Sequence, residues 1–313
     1  MTDAAGVARA VGGWTHPACL LHDTGPGHAE RPQRLQAVLD ALRAAFPALA
    51  WHDAPRATRG ALLRVHTPAL LSTVLDTRSP DRVQLDPDTV LSPASAEAAL
   101  RAAGAAVAAT TAVVQGPLRR AFCAVRPPGH HATADIAMGF CLFNNVAVSA
   151  AHALDELGLA RVAIVDFDVH HGNGTQAIFE HDTRVLYLSS HQSPLYPDTG
   201  HADERGDGNV RNAPLRPGEG GEGFRGAWRD ALLPALEDFR PQLVLVSAGF
   251  DAHWRDPLAH LQLQADDYAW LTRELVACAR RHAGGRVVSM LEGGYDLQAL
   301  AECSVAHVAA LAG

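Results

Sequence analysis

Lysine is absent from this chain, and basic charge as a whole is scarce. All 26 positions counted as lysine or arginine are arginines, and the 34 acidic residues give a formal net charge of −8. The densest basic spots are two arginine pairs, Arg119-Arg120 and Arg280-Arg281, at the predicted ends of elements, where solvated charge is ordinary. Proteins that bind nucleic acid directly carry clustered basic charge for the phosphate backbone. The composition therefore speaks against nucleic acid as a partner.

Cysteine is also sparse, and the chain lacks any Cys-x-x-Cys pair. Its 5 cysteines are odd in number and scattered, so neither a disulfide framework nor a thiolate zinc knot is expected. The N-terminus has Asp3 and no apolar core of the signal-peptide type. The longest alanine-rich stretch, 102–114, is too short and too weakly apolar to span a bilayer. We therefore expect a cytoplasmic protein without a membrane partner.

What the chain does contain is a repeated alternation of short apolar runs and helical patterns. Its 313 residues, 48% hydrophobic and 19% charged, suit one large α/β domain, which we place at 1–313. The apolar runs favour strands because they are continuous, and continuous runs indicate cover on both faces. We predict a three-layer, doubly wound, mostly parallel sheet. The predicted strands are 121–125, 162–165, 185–188, 243–246 and 287–291, and the predicted helices are 97–114, 145–157, 224–239, 266–281 and 297–311.

Polar or glycine-rich segments follow each of the five predicted strands. Ligands of such sheets gather beyond the carboxyl ends of the strands, so these segments are expected to meet at one edge. A purely structural protein has no need for five polar strand ends. The segments contain His130-His131, Asp166 to His171, Ser189-Ser190, Asp251 and Gly293-Gly294-Tyr295.

Asp168, His170 and Asp251 are the candidate metal ligands. Positions 168 and 170 share one face if the strand end is extended, and Asp251 follows another strand. Three protein ligands leave a position for water, which is typical of catalytic rather than structural zinc. Fe²⁺ and Co²⁺ suit the same nitrogen and oxygen ligands. The alternative reading of an isolated Asp-x-His pair is a strand-end cap or a salt bridge.

His130 and His131 are the candidate proton-transfer residues beside this metal. Both rings can face the site only if the preceding Pro-Pro-Gly turn bends the chain. Asp166 and Asn173 are suited to orient the two rings. Tyr295 follows two glycines and could hydrogen-bond the oxyanion of a tetrahedral intermediate. Histidine packing in the core or at the surface, and a packing tyrosine in a turn, are the structural alternatives.

Taken together, these motifs resemble the zinc-dependent histone deacetylase and acetylpolyamine amidohydrolase family, most closely its bacterial class II type. The resemblance runs from about His28 to Tyr295. It implies an arginase-like α/β fold and hydrolysis of an N-acetyl amide to acetate and a free amine. The motifs, in chain order, are Arg-Pro-Pro-Gly-His-His at 126–131, Gly-Phe-Cys at 139–141, Asp-x-Asp-x-His-His-Gly-Asn-Gly-Thr at 166–175, Gly-Phe-Asp at 249–251 and Glu-Gly-Gly-Tyr at 292–295.

The resemblance also implies a role for each residue of the site. Asp168, His170 and Asp251 correspond to the zinc ligands and His131 to the general base and acid. His130, backed by Asp166, corresponds to its electrostatic partner, with Asn173 holding His131 and Tyr295 polarising the carbonyl. The residues that would line the substrate and product paths are the Gly139 carbonyl, Phe140, Tyr196 and Arg34.

A potassium ion close to the zinc is a further implication of the resemblance. Its ligands would come from Asp166, Asp168, the His170 carbonyl and the Ser189-Ser190 segment. A second potassium loop would fall around Phe179, Asp182 and Val185.

Two positions depart from the family pattern. Leu258 stands where polyamine-selective animal members place a glutamate, and Tyr196 stands where many members have phenylalanine. Acetylated lysine side chains and acetylated small amines such as acetylpolyamines both remain open as substrates. The sequence leaves a homo-oligomer open as well.

Two other classes of function are alternatives to a deacetylase. A binuclear manganese ureohydrolase of the same fold would need a further carboxylate where His253 stands. A non-catalytic acetyl-lysine reader would be expected to lose the base or the phenol, yet His131 and Tyr295 are both present.

Overall fold

The structure is a computed structural model that describes residues 6–7 and 10–313. Within these residues an eight-stranded sheet runs in the order β2-β1-β5-β10-β9-β6-β7-β8, and each neighbouring pair of its strands is parallel. A short antiparallel pair, β3 (Val83–Gln84) and β4 (Val90–Leu91), lies outside it. The strands of the large sheet are β1 (Val11–Thr15), β2 (Ala50–Asp53), β5 (Arg120–Cys123), β6 (Val162–Asp166), β7 (Val185–Gln192), β8 (Val210–Leu215), β9 (Leu243–Ala248) and β10 (Val287–Leu291).

All five strands predicted from apolar runs are confirmed. They form the centre of the sheet, and their residues are buried throughout, as cover on both faces requires. The strands β1, β2 and β8 were not predicted. Two glycines interrupt β1, and β8 contains Pro214, which an edge strand tolerates.

Helices cover both faces of the sheet and complete the three layers. On one face α5 and α6 contact the central strands, and on the other face α10 and α11 do so, with α2 packed against α11. The helices are α1 (Ala18–Leu21), α2 (Pro32–Ala45), α3 (Arg59–Leu62), α4 (Pro68–Asp76), α5 (Ser95–Gln115), α6 (Asn145–Asp155), α7 (Asn173–Phe179), α8 (Gly221–Ala227), α9 (Leu233–Phe239), α10 (Ala265–His282) and α11 (Leu297–Ala312).

The predicted helix 224–239 is broken in the structure. Helix α8 passes into a π-helical turn, Trp228–Leu232, before α9 continues the chain. Pro234 in the first turn of α9 has no backbone N–H to donate, so a regular α-helical ladder cannot run through this point. The other four predicted helices are confirmed, with ends that differ by a few residues.

The alanine-rich stretch 102–114 belongs to α5, which is longer than we expected. Its 21 residues include a window of mean hydropathy 1.3, so length and composition alone would allow it to cross a membrane. The stretch 102–114 is only part of this helix, which reaches that length because it extends beyond the stretch at both ends. However, 56% of that window is buried inside the fold, where α5 packs against β5 and α6. This packing identifies α5 as a core helix.

Candidate active site and metal centre

Four adjacent strands in the middle of the sheet bring the predicted site residues together. The strands β5, β10, β9 and β6 are neighbours and parallel, so their carboxyl ends meet at one edge. The segments that follow them carry the two histidines at 130 and 131, Tyr295, Asp251 and the 166–170 stretch. Ser189 and Ser190 instead lie within β7, which is longer than predicted, and Ser189 pairs with Asp166.

Asp168, His170 and Asp251 form a compact, buried cluster. Their candidate ligand atoms all lie within 4.8 Å of one another. His170 Nδ1 is 3.1 Å from Asp168 Oδ1 and 3.2 Å from Asp251 Oδ2. Residues 168–170 form a bend rather than an extended strand, so the predicted strand geometry was wrong. The two residues converge because the His170 backbone N–H donates to Asp168 Oδ1 at 2.9 Å.

The geometry of this cluster fits a divalent metal ion. Asp251 Oδ2 is buried and faces only His170 Nδ1, itself a candidate ligand, at 3.2 Å, without a well-formed hydrogen bond, whereas Oδ1 accepts one from the Val169 N–H at 2.9 Å. A buried carboxylate oxygen that lacks a well-formed hydrogen bond is costly unless a cation compensates it. Two carboxylates and an imidazole are also ligands that zinc, iron(II) and cobalt(II) accept.

Two glycines give the carboxylates the room that they occupy. A Cβ at Gly249 would collide with the Asp168 carboxylate, and a Cβ at Gly293 would collide with the Asp251 carboxylate. The Gly293 N–H also donates to Asp168 Oδ2 at 2.8 Å. Any side chain at either position would therefore displace a candidate ligand.

Electrostatics within the cluster also call for a cation. Burial, together with the neighbouring Asp168, raises the pKa of Asp251. Burial would lower the pKa of His170, but Asp168 and Asp251 outweigh it and raise that pKa to about 10. With Asp166 also fully buried nearby, three carboxyl groups share a region from which water is excluded. Buried charge of this density is usually compensated by partners or by a metal.

His130 and His131 lie side by side, each held by its own partner. The turn that ends at these residues brings their ring centroids to 4.0 Å from each other. His130 Nδ1 is 3.0 Å from Asp166 Oδ2, and His131 Nδ1 is 2.8 Å from Asn173 Oδ1. The structure thus forms both of the pairs that were predicted to orient these rings.

The two histidines differ in protonation. Burial would lower the pKa of His130, but the carboxylates of Asp168 and Asp166 outweigh it and raise that pKa to about 10. For His131, burial and the adjacent His130 and His170 lower the pKa well below its usual value. These surroundings favour the protonated form of His130 and the neutral form of His131.

Glu292 fixes the turn that carries the two histidines, a role that the sequence did not reveal. Its Oε2 accepts hydrogen bonds from the backbone N–H groups of Gly129 at 2.6 Å and His130 at 3.3 Å. Its Oε1 accepts one from the Ser247 hydroxyl at 3.1 Å. Burial raises the pKa of Glu292 to about 7. The sequence signal was an acidic residue directly after the mostly apolar strand β10.

Tyr295 is fixed in place by a hydrogen bond from its backbone N–H and by a cation–π contact to its ring. Its N–H donates to Asp256 Oδ2 at 2.7 Å, and the guanidinium of Arg34 lies 4.8 Å from the centre of its ring. Arg34 is fully buried and donates to the carbonyls of Gly294 at 2.5 Å and Glu292 at 2.6 Å. Arg34 therefore anchors the loop that presents the phenol.

Arg34 belongs to a buried ion-pair network with Glu30 and Arg126. Glu30 is fully buried, lies 3.1 Å from Arg34 Nη1 and accepts two hydrogen bonds from Arg126, one of them from Nη2 at 2.5 Å. Burial would raise the pKa of Glu30, but the two arginines outweigh it and lower that pKa to about 2. The Arg-Pro-Pro-Gly-His-His motif contained Arg126, yet its partner Glu30 was not foreseen because it lies 96 residues away in sequence.

Aromatic side chains line the approach to the cluster. The Tyr196 ring lies 5.2 Å from His131 and is 39% exposed, while the Phe140 ring lies 5.9 Å from Tyr295. Gly139 has a φ of 56°, and a Cβ there would meet the His131 ring. Leu258 is linked to the site through Asp256, whose Oδ1 accepts its N–H at 3.0 Å.

The carbonyl ring at the predicted second potassium loop already has a protein donor. The Asn209 Nδ2 group donates to the carbonyls of Phe179 at 2.7 Å, Asp182 at 3.1 Å and Val185 at 2.9 Å. An amide N–H₂ group thus occupies the position at which these oxygens converge. We therefore expect no second potassium ion at this loop.

His253 does not supplement the metal cluster. It is buried, and its Nδ1 accepts a hydrogen bond from the Arg255 N–H at 3.2 Å. Among the residues that the structure describes, the candidate ligands at this edge are the three named above. This arrangement favours one ion over a binuclear site.

Comparisons with known proteins agree with this geometry. The histone deacetylase domain family matches residues 28–311. A "Histone deacetylase-like amidohydrolase" from Pseudomonas aeruginosa is 42% identical over 97% of this chain and 80% of its own length. A "Probable deacetylase" from Archaeoglobus fulgidus is 40% identical over 95% of this chain and 85% of its own length.

A solved structure shares the architecture as well. The crystal structure of the HDA15 HD domain superposes with a TM-score of 0.93 at 36% sequence identity, covering 98% of this chain and 89% of that one. The predicted arginase/deacetylase fold is therefore confirmed. With a family match over nearly the whole sequence and relatives near 40% identity, the chain belongs to the histone deacetylase family.

Proposed function

We propose that this member of the deacetylase and amidohydrolase family is a zinc-dependent enzyme that removes acetyl or related acyl groups from N-acyl lysine or N-acyl alkylamines. The products would be acetate, or the corresponding acid, and a free amine. The observation that carries the proposal is the buried Asp168–His170–Asp251 cluster beside the paired rings of His130 and His131. We further propose that residues 1–313 act as one catalytic domain.

Asp168, His170 and Asp251 would hold the ion. Zinc held there supplies Lewis acidity, which polarises an amide carbonyl and makes water more acidic. Iron(II) and cobalt(II) suit the same donors. A potassium ion would be held nearby by Asp166, Asp168, the His170 carbonyl and the β7 serines, Ser189 and Ser190.

His131 acts as the general base and then as the general acid. Asn173 Oδ1 can only accept, so the proton of His131 lies on Nδ1 and Nε2 is free. The Asn173 amide donates towards Met138 Sδ at 3.5 Å, which supports this orientation of its oxygen. Nε2 takes a proton from the attacking water and returns it to the leaving nitrogen. His130, whose Nδ1 pairs with Asp166, stabilises the negative charge that develops when its ring is protonated.

Tyr295 and Gly139 orient the substrate amide. The phenol donates a hydrogen bond to the developing oxyanion, and the Gly139 carbonyl accepts one from the amide N–H. Phe140 and Tyr196 flank an extended alkyl arm. Bulk solvent is kept from the inner end of the site because the residues behind it are buried.

The aromatic side chains Phe140 and Tyr196 also indicate the substrate class. Aromatic rings suit the methylene chain of acetyl-lysine and of acetylated alkylamines alike. An acetylpolyamine-specific enzyme is the second candidate, but Leu258 offers no negative charge to a polyamine.

The five buried free cysteines fit a reducing compartment such as the cytoplasm. Neither nucleic acid nor a membrane is part of this proposal.

A substrate panel tests the proposal. Acetyl-lysine peptides, acetylpolyamines and longer acyl-lysine peptides are compared by kcat/KM, with and without a chelator. We expect chelator-sensitive release of acetate, with acetyl-lysine peptides and short acetylated amines among the substrates. Preference for acetylpolyamines alone would support the second candidate, and no amide hydrolysis of any member would contradict both.

A further inference from the structure

A second group of metal-binding side chains lies at the opposite edge of the sheet. Glu237 lies on α9, and Cys278 and His282 lie on α10. These helices end shortly before β9 and β10 begin, so the group is near the amino ends of the strands, whereas the active site is at their carboxyl ends. We refer to these three residues as the Glu237–Cys278–His282 cluster. Its location makes it independent of the proposed catalytic residues.

The spacing of the cluster is that of a preformed site. Cys278 and His282 are four residues apart on one helix, so both side chains lie on the same face. Glu237 faces them from the neighbouring helix, with Oε2 at 2.7 Å from His282 Nε2. The candidate sulfur, nitrogen and oxygen ligand atoms all lie within 4.8 Å of one another. Residues on two helices thus converge on one point.

The cluster is buried at Cys278 and partly exposed to solvent at Glu237 and His282. Cys278 is 1% exposed, while the side chains of Glu237 and His282 are 35% and 22% exposed. Next to them is a surface cavity of about 630 Å³, which Arg161 and Arg240 also line. An ion could enter from this cavity, and water could fill a fourth coordination position.

We propose that the Glu237–Cys278–His282 cluster is a second metal site, which binds a zinc-like divalent ion through one sulfur, one nitrogen and one oxygen. A thiolate ligand favours zinc and other borderline or soft ions over magnesium, calcium and manganese. The thiolate and the carboxylate together balance the two positive charges of the ion. Arg281 donates to both oxygens of Glu237, from Nη2 to Oε1 and from Nε to Oε2 at 3.3 Å, so the ion takes the place of the longer of these two contacts, the one at Oε2.

Binding at this site would displace protons. Burial and the Glu237 carboxylate raise the pKa of Cys278 to about 12, so its thiol is protonated without an ion. The ion replaces the thiol proton, which passes to solvent, and the imidazole proton moves to Nδ1 so that Nε2 can coordinate. Tetrahedral zinc needs its nitrogen and oxygen ligands about 3.3 Å apart, from bonds of about 2.0 Å. The partly exposed Glu237 and His282 side chains can separate by that amount.

Cobalt substitution tests this proposal without measuring activity. The full-length protein is stripped of metal and titrated with Co²⁺ while its absorption spectrum is recorded. The active-site ligands contain no sulfur, so a near-ultraviolet thiolate-to-cobalt charge-transfer band reports the second site alone. We expect two bound ions per chain at saturation, with the intensity of the band corresponding to one of them.

Matched variants complete the test. Cys278→Ser should remove the band and one bound ion, whereas Cys303→Ser, at another buried free cysteine, should leave both unchanged. His282→Ala should shift or abolish the band and covers the case in which Cys278→Ser does not fold. Absence of the band from the unmodified protein, or a band that persists in both Cys278→Ser and His282→Ala, would overturn the proposal.

Discussion

Replacing Tyr295 with phenylalanine removes one hydroxyl group and leaves the surroundings of the ring intact. The ring is held by the guanidinium of Arg34 at 4.8 Å and by the Phe140 ring at 5.9 Å, and a phenylalanine ring keeps both contacts. The backbone N–H of residue 295 keeps its bond to Asp256. Tyr295→Phe therefore isolates the contribution of the phenol as a hydrogen-bond donor.

The expected loss is that of one oxyanion donor. Removing such a donor costs about 2.7–4 kcal/mol, or roughly 100- to 1,000-fold in kcat. Because the hydroxyl acts on charge that develops in the transition state, KM should change little. Burial raises the pKa of Tyr295 well above its usual value, so the group remains a donor across the neutral range. Metal content should not change, since Tyr295 is not among the candidate ligands.

The assay is steady-state deacetylation of an acetyl-lysine peptide, with metal content measured on the same samples. Tyr268→Phe is the matched control, because Tyr268 is buried and its hydroxyl has no hydrogen-bond partner among the described residues. We expect this control to retain full activity. A Tyr295→Phe protein with unchanged kcat would refute the role of the phenol, and a loss of metal would show that the variant acts through the metal site instead.

Three further predictions follow from the same geometry. His131→Ala should abolish measurable turnover while metal still binds; full turnover would show that another group is the base. Gly293→Ala should lose metal and activity together, because its Cβ would collide with the Asp251 carboxylate, and metal analysis checks this. Burial lowers the pKa of His307 from 6.5 to about 3. Below about pH 6.5 the unfolded state therefore binds a proton on His307 that the folded state binds only near pH 3. Stability is therefore lost as the pH falls from about 6.5 towards 3, and His307→Gln should reduce the loss between about pH 7.5 and 4.5 by roughly 3 kcal/mol in denaturant titrations. An equal loss in both proteins would contradict that assignment.

The central strands and the site residues on their ends could be predicted because each prediction needed only a short piece of chain. Continuous apolar runs located β6, β9 and β10, and the residues directly after them contain Asp168, Asp251 and Tyr295. Parallel strands bring their carboxyl ends to one edge whatever their order along the chain. The convergence of these residues therefore followed from the fold class.

The supporting residues could not be predicted in the same way, because their partners are distant in sequence. Glu30 meets Arg126 across 96 residues, and Glu292 meets the Gly129 N–H across 163. No local pattern encodes such pairs. Strand β1 was missed because two of its five residues are glycines, and its burial depends on neighbouring strands and helices.

The central claim is that one ion at Asp168, His170 and Asp251 supports amide hydrolysis. Its most direct test is a Zn²⁺ titration of metal-free Cys278→Ser protein, which lacks the proposed second site, with acetate release from an acetyl-lysine peptide and an acetylated alkylamine measured at each step. We expect no hydrolysis without metal, and a rate of acetate release that rises linearly to a plateau at one equivalent of Zn²⁺. Hydrolysis by the metal-free protein, or a plateau reached only at two equivalents, would contradict it.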